Sequence, residues 1–175
     1  MKRPLLFTVI AVLVLTAGAC SAEYETGAAG GGEGAVVERI ADGDTLDLEN
    51  GDRVRLVQID ATELGEGECY SEEAAGALEE LAPPGTRVRL ETDPSLDQVD
   101  QYGRLLRYVH VGDRNVNLEL VRRGAAAPYF FHGEHGRYAS ELEHAGEAAR
   151  DAGRGMWGAC RVAWNPERSA TAQFR

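Results

Sequence analysis

The feature that most narrows the fold is a change of parity inside one apolar run. Between Arg53 and Asp60 the apolar positions switch from Val54 and Leu56 to Val57 and Ile59. A regular strand keeps its apolar side chains on one face with a period of two. A slip of this kind therefore predicts a bulge or strong coiling, as a small closed barrel requires. The run is the third in a series of short strand-like segments joined by tight turns. Val36, Val37 and Ile40 precede Asp42-Gly43-Asp44, Leu46 and Leu48 alternate over residues 45–48, and Asn50-Gly51 tolerates the positive φ of a hairpin turn.

Ser71 is placed as an N-cap, with Glu72 and Glu73 in the first turn of a helix whose stripe is Ala74, Ala77, Leu78 and Leu81. Pro83-Pro84-Gly85 stops it. Residues 87–91 and 105–111 alternate as fourth and fifth strands. Residues 117–123 form a short helix closed by Gly124, and a last helix starts near Tyr138 with Leu142, Ala145, Ala149 and Ala152 on one face. Residues 161–175 read as a polar tail. The 175 residues leave room for one domain. Five strands, with a helix after the third and two more at the end, predict an α+β fold on a five-stranded barrel of the OB type.

The first nineteen residues read as a signal peptide. Lys2 and Arg3 precede an apolar run from Leu5 to Leu15, whose length as a helix is about 16 Å, half a bilayer core. Cys20 follows Ala17-Gly18-Ala19 and is placed as a lipidated first residue, although Ala17-x-Ala19 equally suits ordinary signal peptidase. The chain is expected to be exported, either extracellular or lipid-anchored to the outer face of the membrane. Residues 20–34, rich in glycine, are expected to form a tether, leaving residues 35–160 as the domain. Setting Cys20 aside leaves Cys69 and Cys160, an even pair expected to form a disulfide in an oxidising compartment, with two unlinked buried thiols as the alternative.

The chain carries 18 Lys+Arg against 29 Asp+Glu, a net charge of -11. That excludes a basic, sequence-independent coat for nucleic acid, which needs excess cation to neutralise phosphate. It leaves room for a local cationic site. Asp42 and Asp44 sit at the first turn, and Asp60 and Glu63 where the third strand exits; in a three-strand meander both points fall at the same end of the sheet. Four converging carboxylates raise one another's pKa unless a cation neutralises them, and a hard divalent ion is the natural occupant. Leu46 occupies the place where an EF-hand needs a polar ligand. Arg55 reaches the same pocket as Asp60 only through the parity change, and Arg104 opens the fifth strand after Tyr102-Gly103. Two planar guanidinium forks beside such a site suit a phosphate.

These stretches, Ile40-Ala41-Asp42-Gly43-Asp44-Thr45, Arg55 through Glu63, Tyr102-Gly103-Arg104, Leu120-Val121-Arg122-Arg123-Gly124 and Trp157, resemble in order and spacing the signature of the staphylococcal nuclease (thermonuclease) family. The resemblance implies a Ca²⁺-dependent phosphodiesterase cleaving DNA and RNA with little sequence preference. It implies Asp44, Asp60 and the backbone carbonyl of Ala61 as calcium ligands, with Asp42 supporting them. Glu63 is then the general base, Arg55 and Arg104 bind the scissile phosphate, and Tyr102 lines the nucleotide pocket. Tyr129 and Phe130 are assigned to the base, out of Tyr129, Phe130 and Phe131.

The chain departs from the family pattern at Ala61-Thr62, where Thr-Pro is common, and at Gln101, where lysine is common. The expected partner is single-stranded DNA or RNA, the expected state a monomer, and any membrane contact runs through Cys20. The competing reading is a catalytically inactive OB module that binds nucleic acid or a protein; retention of Asp44, Asp60, Glu63, Arg55 and Arg104 favours the enzyme.

Overall fold

A computed structural model describes residues 33–65 and 67–175. The expectations for the signal segment and Cys20 fall outside these residues. Strand β1 (Glu33–Asp42) pairs antiparallel with β2 (Thr45–Leu48), and β2 pairs with β3 (Arg53–Leu56). Glu33 and Gly34, expected in the tether, already pair with Leu90 and Arg89 in β1. Two register shifts, between Val37 and Arg39 and between Ile40 and Asp42, bend β1. That bend lets its first half pair with β5 (Arg87–Glu91) and its second half with β2. Then β5 pairs with β6 (Leu105–Val111), and β6 runs parallel to β3, with Arg55 opposite Leu106. This last pairing closes a five-stranded mixed barrel, as expected from the sequence.

The barrel interior is filled by Val37, Leu46, Leu48, Val54, Leu56, Val88, Leu90 and Val109, all buried. Helix α1 (Ser71–Leu81) covers one end with Ala74, Leu78 and Leu81. Ser71 is its first helical residue rather than its cap; Tyr70, in the left-handed region, takes the cap position. Gly43 is required beneath this helix, since a Cβ there would lie 2.7 Å from both Ala61 Cβ and Ala74 Cβ. Helix α2 (Val116–Arg123) is capped by Asn115, whose side chain accepts from Leu118 N, and by Gly124 in the left-handed region. Helix α3 (Ala139–Asp151) packs on α2.

The parity slip turns out to be a break rather than a bulge within one strand. After β3 the chain turns through Gln58, at φ 63, into the short β4 (Ile59–Asp60), which pairs with β8 (Ala127–Pro128); β7 (Arg114–Asn115) lies between, in chain order. Residues 161–175 are also corrected: β9 (Arg161–Asn165) and β10 (Arg168–Gln173) form an antiparallel hairpin after a single helical turn, α4 (Met156–Ala159). Hairpin residues Ala170 and Ala172 join Met156, Trp157 and Cys160 in a second apolar cluster. Cys69 and Cys160 are joined by a disulfide across a separation of 91 residues. Closing such a loop stabilises by about 4–5 kcal/mol in the chain-entropy picture.

Candidate active site

The turn Asp42-Gly43-Asp44 is held by its own first residue: Asp42 Oδ1 accepts from Asp44 N at 3.0 Å. This directs the Asp44 side chain inward, where it is 2% exposed. Its Oδ1 accepts from Thr45 Oγ1 at 3.1 Å and its Oδ2 from Ala61 N at 2.7 Å. The break at Gln58 brings Asp60 back to the Arg55 side of the strand. Arg55 Nη2 then lies 3.0 Å from Asp44 Oδ2 and 2.9 Å from Asp60 Oδ1. Nη1 of the same guanidinium donates to Leu56 O at 2.8 Å and to Ile59 O at 2.7 Å. The second Asp60 oxygen accepts from Ala170 N, in the C-terminal hairpin, at 2.9 Å.

Two carboxylates therefore share one cation in a dry place. The Asp44 carboxyl is raised to about 8 in all: burial raises it most, Arg55 pulls it down, and Asp42 and Asp60 add to the rise. Asp60 is likewise raised, by burial first, with Arg55 opposing. Burial opposes the charge on Arg55, but Asp44, Asp60, Asp42 and Glu63 together outweigh it and hold the guanidinium protonated.

Beside this pair opens a groove of about 660 Å³, lined by Arg55, Asp60, Glu63, Tyr102, Arg104 and Tyr129, among others. Glu63 is exposed on its rim, and its backbone N–H donates to Glu68 Oε2 at 2.9 Å. Arg104 is aimed by Asp100: Nε donates to Oδ2 at 2.5 Å and the backbone N–H to Oδ1 at 2.9 Å. Its guanidinium carbon stands 5.4 Å from the centre of the exposed Tyr102 ring.

The four acids expected to converge do so only in part. Asp44 and Asp60 meet at Arg55, while Asp42 in its turn and Glu63 on the groove rim stand farther off but close enough to act on its charge. Among the described residues, no three His, Cys, Asp or Glu side chains are grouped to hold a metal. Asp44 and Ala61 lie beneath the groove rather than in its wall. Phe130 is corrected outright: it is fully buried, 4.5 Å from the His135 ring, and Phe131, 54% exposed, takes its place beside Tyr129 at the groove.

Comparison with known proteins gives the family. Residues 53–159 match the family described as staphylococcal nuclease homologue. The chain belongs to the staphylococcal nuclease family. It is 31% identical over 132 residues to the thermonuclease of Staphylococcus intermedius, covering 72% of this chain and 77% of that protein. It is 30% identical over 160 residues to an uncharacterized endonuclease of Haemophilus influenzae, covering 89% and 79%. With the SPbeta prophage-derived endonuclease YokF of Bacillus subtilis it shares 30% over 128 residues, which is 69% of this chain and 43% of that longer protein. This staphylococcal nuclease homologue is accordingly an endonuclease.

Two features of this nuclease had no clear signal in the sequence. Gln58 occupies the left-handed region, where a non-glycine residue is uncommon. Its Nε2 donates to Glu134 O at 2.7 Å, its Oε1 accepts from Tyr108 OH and Gly136 N, and its carbonyl accepts from Tyr129 N. It thus ties the strand break behind Asp60 to the loop carrying Tyr129 and Phe131. Asp100, which aims Arg104, is the other; a turn aspartate gives no hint of such a partner.

Proposed function

We propose that this nuclease hydrolyses phosphodiester bonds in single-stranded DNA or RNA, with a divalent cation, calcium, held by Asp44 and Asp60, the Ala61 carbonyl beside them and Asp42 behind. The observation that carries this reading is the pair of buried carboxylates sharing one guanidinium. Their donor set is hard oxygen and they are one positive charge short, which fits such a cation. Bound there, the cation supplies Lewis-acid polarisation of a phosphate oxygen and the charge that the pair lacks.

The chain's own groups do the rest. Arg55 and Arg104 bind the phosphate in the groove, and their stabilisation grows as charge develops on the pentacoordinate phosphorus. Glu63, on the open rim, takes a proton from the attacking water. The exposed rings of Tyr102 and Phe131 and the half-buried ring of Tyr129 provide stacking faces for unpaired bases, which favours single strands. The disulfide supports export to an oxidising compartment, and a lipid anchor at Cys20 is part of the same proposal.

The deciding experiment is digestion of single-stranded DNA with calcium, with chelator, and with Glu63→Gln. Cleavage that needs calcium and falls sharply in the variant is expected. Calcium-independent gel shifts without cleavage would instead identify an inactive binding module.

A further inference from the structure

We infer that the C-terminal hairpin is a positioning element of the active site, acting through the backbone N–H of Ala170 on the Asp60 carboxylate. The inference rests on the cation-assisted reading above. It concerns a part of the chain beyond the family match, which ends at residue 159.

The bond from Ala170 N to Asp60 Oδ2 spans 110 residues and is buried. With Oδ1 on Arg55, it gives each oxygen of Asp60 a separate fixed partner. A carboxylate left with one partner rotates about a broad side-chain torsion, whereas one held at both ends presents a defined face. The hairpin is shaped for this contact. Its ladder slips between Arg168 and Thr171, so Ser169 and Ala170 lie in an irregular stretch of β10. Irregularities of this kind re-aim groups next to active sites. Here Ala170 N–H goes to Asp60 and Ser169 forms part of the groove wall.

The hairpin is also fastened to the elements that carry the site. Phe130 N donates to Pro166 O at 2.5 Å, and Trp164 Nε1 to Pro128 O at 2.9 Å, in the strand paired with Asp60. Cys69 N donates to Ala172 O, and the Cys69–Cys160 disulfide anchors the hairpin base to the segment following Glu63. A hairpin that served only to cover the second apolar cluster would have no need to direct a backbone donor at a carboxylate.

The test is Ala170→Pro, which removes the donor, beside Ala170→Gly, which keeps it, and Glu167→Ala at the hairpin turn. Calcium binding to each folded protein is read by titration calorimetry. Ala170→Pro is expected to raise the calcium dissociation constant about 10- to 100-fold, the usual effect of losing a partner behind a metal ligand. Ala170→Gly and Glu167→Ala are expected to bind as the wild type does. Should Ala170→Pro fail to fold, the amide resonance of Ala170 in the calcium-free protein is compared with that of Asp60→Asn. A large shift and faster exchange at Ala170, with Ala172 unchanged, is the expected result.

Wild-type affinity in Ala170→Pro, or an Ala170 amide indifferent to Asp60→Asn, would overturn the inference. A wild-type protein that binds no calcium, while its Ala170 amide still responds to Asp60→Asn, would sink the cation reading and leave the hairpin's hold on Asp60 standing.

Discussion

Two ionic clusters in this protein are built from similar parts and come out with opposite electrostatics. In one, Asp44 and Asp60 share Arg55, and both carboxyls are raised above the ordinary carboxylate range. In the other, Glu91 is met by Arg137 Nη1 at 2.6 Å, His110 Nε2 at 2.9 Å, Arg89 Nη1 at 3.2 Å and Tyr138 OH at 3.2 Å. Nearby Asp93 accepts from Arg137 N at 2.6 Å and from Ser95 Oγ at 2.7 Å. Burial pushes both of these carboxyls up as well, but their donors and cations more than offset it, and both lie below the usual range. The second cluster sets two guanidinium groups, Arg89 and Arg137, against its two acids and holds β5 and β6 to the segment before α3. The first is short of positive charge at the mouth of a groove. Desolvation acts in both; the count of compensating cations separates a balanced network from a pair of carboxylates left short of positive charge.

The largest expected effect comes from Arg55→Gln. It leaves two buried carboxylates uncompensated, a loss of about 3–5 kcal/mol in stability. On the proposed mechanism it also removes a transition-state donor, raising the barrier by about 3–4 kcal/mol. Chemical denaturation and kcat on single-stranded DNA read the two separately. Calcium is expected next: at a hundred times its dissociation constant it stabilises the wild type by about 2.7 kcal/mol, seen as a rise in Tm. The same addition leaves Asp44→Asn unmoved. Glu91→Gln, in the second cluster, is expected to lower stability by about 1–3 kcal/mol while kcat and calcium affinity stay as they are. A change in calcium affinity in that variant would break the distinction drawn between the clusters.

The two clusters also respond to pH in opposite senses. His110 is lowered from 6.5, by burial first and Arg89 second, so the unfolded chain binds its proton more readily. Its contribution is full above 6.5 and is lost as pH falls. Glu91 and Asp93, lowered from 4.5 and 3.8, act in the same direction at lower pH. Asp44 runs the other way: raised to about 8, it favours the folded state most below 3.8, and that contribution is lost as pH rises through about 8. In calcium-free protein, His110→Gln should therefore flatten the fall in Tm below about pH 6.5, and Asp44→Asn should flatten the fall on the alkaline side.

The smallest effect concerns salt. A chain of net charge -11 repels its substrate at long range. Cleavage is expected to rise from the lowest ionic strength toward about 0.1 M, where screening acts over about 10 Å. A steady decline from the lowest salt upward would contradict this.

Alternation and turn residues, being local signals, were enough to predict the barrel, and motif order singled out Asp44, Arg55, Asp60, Glu63 and Arg104, of which the structure brings the first three into contact. The break at Gln58 was half legible: parity marked the place, but nothing about a glutamine announces a left-handed turn. Its anchors, Glu134 and Gly136, lie more than seventy residues away. The hairpin did carry a signal, with Val162 and Trp164 alternating before Asn165-Pro166 and Ala170 and Ala172 after it, masked by the polar residues between. Choosing between Phe130 and Phe131 had no such signal. In an irregular loop a single step exchanges wall for interior, and only tertiary packing decides it.

Arg55 stands on the seam that closes the barrel, its strand joined to β6 through Leu106. Until residue 105 and its successors are in place, that strand is an open edge. A chain still being made therefore carries Arg55 in an unassembled half-sheet. The cluster around it is complete only when the distant partner strand, and after it the hairpin residue Ala170 that reaches Asp60, are in place. The guanidinium that Asp44 and Asp60 share is therefore seated late, by contacts that reach across more than a hundred residues of chain.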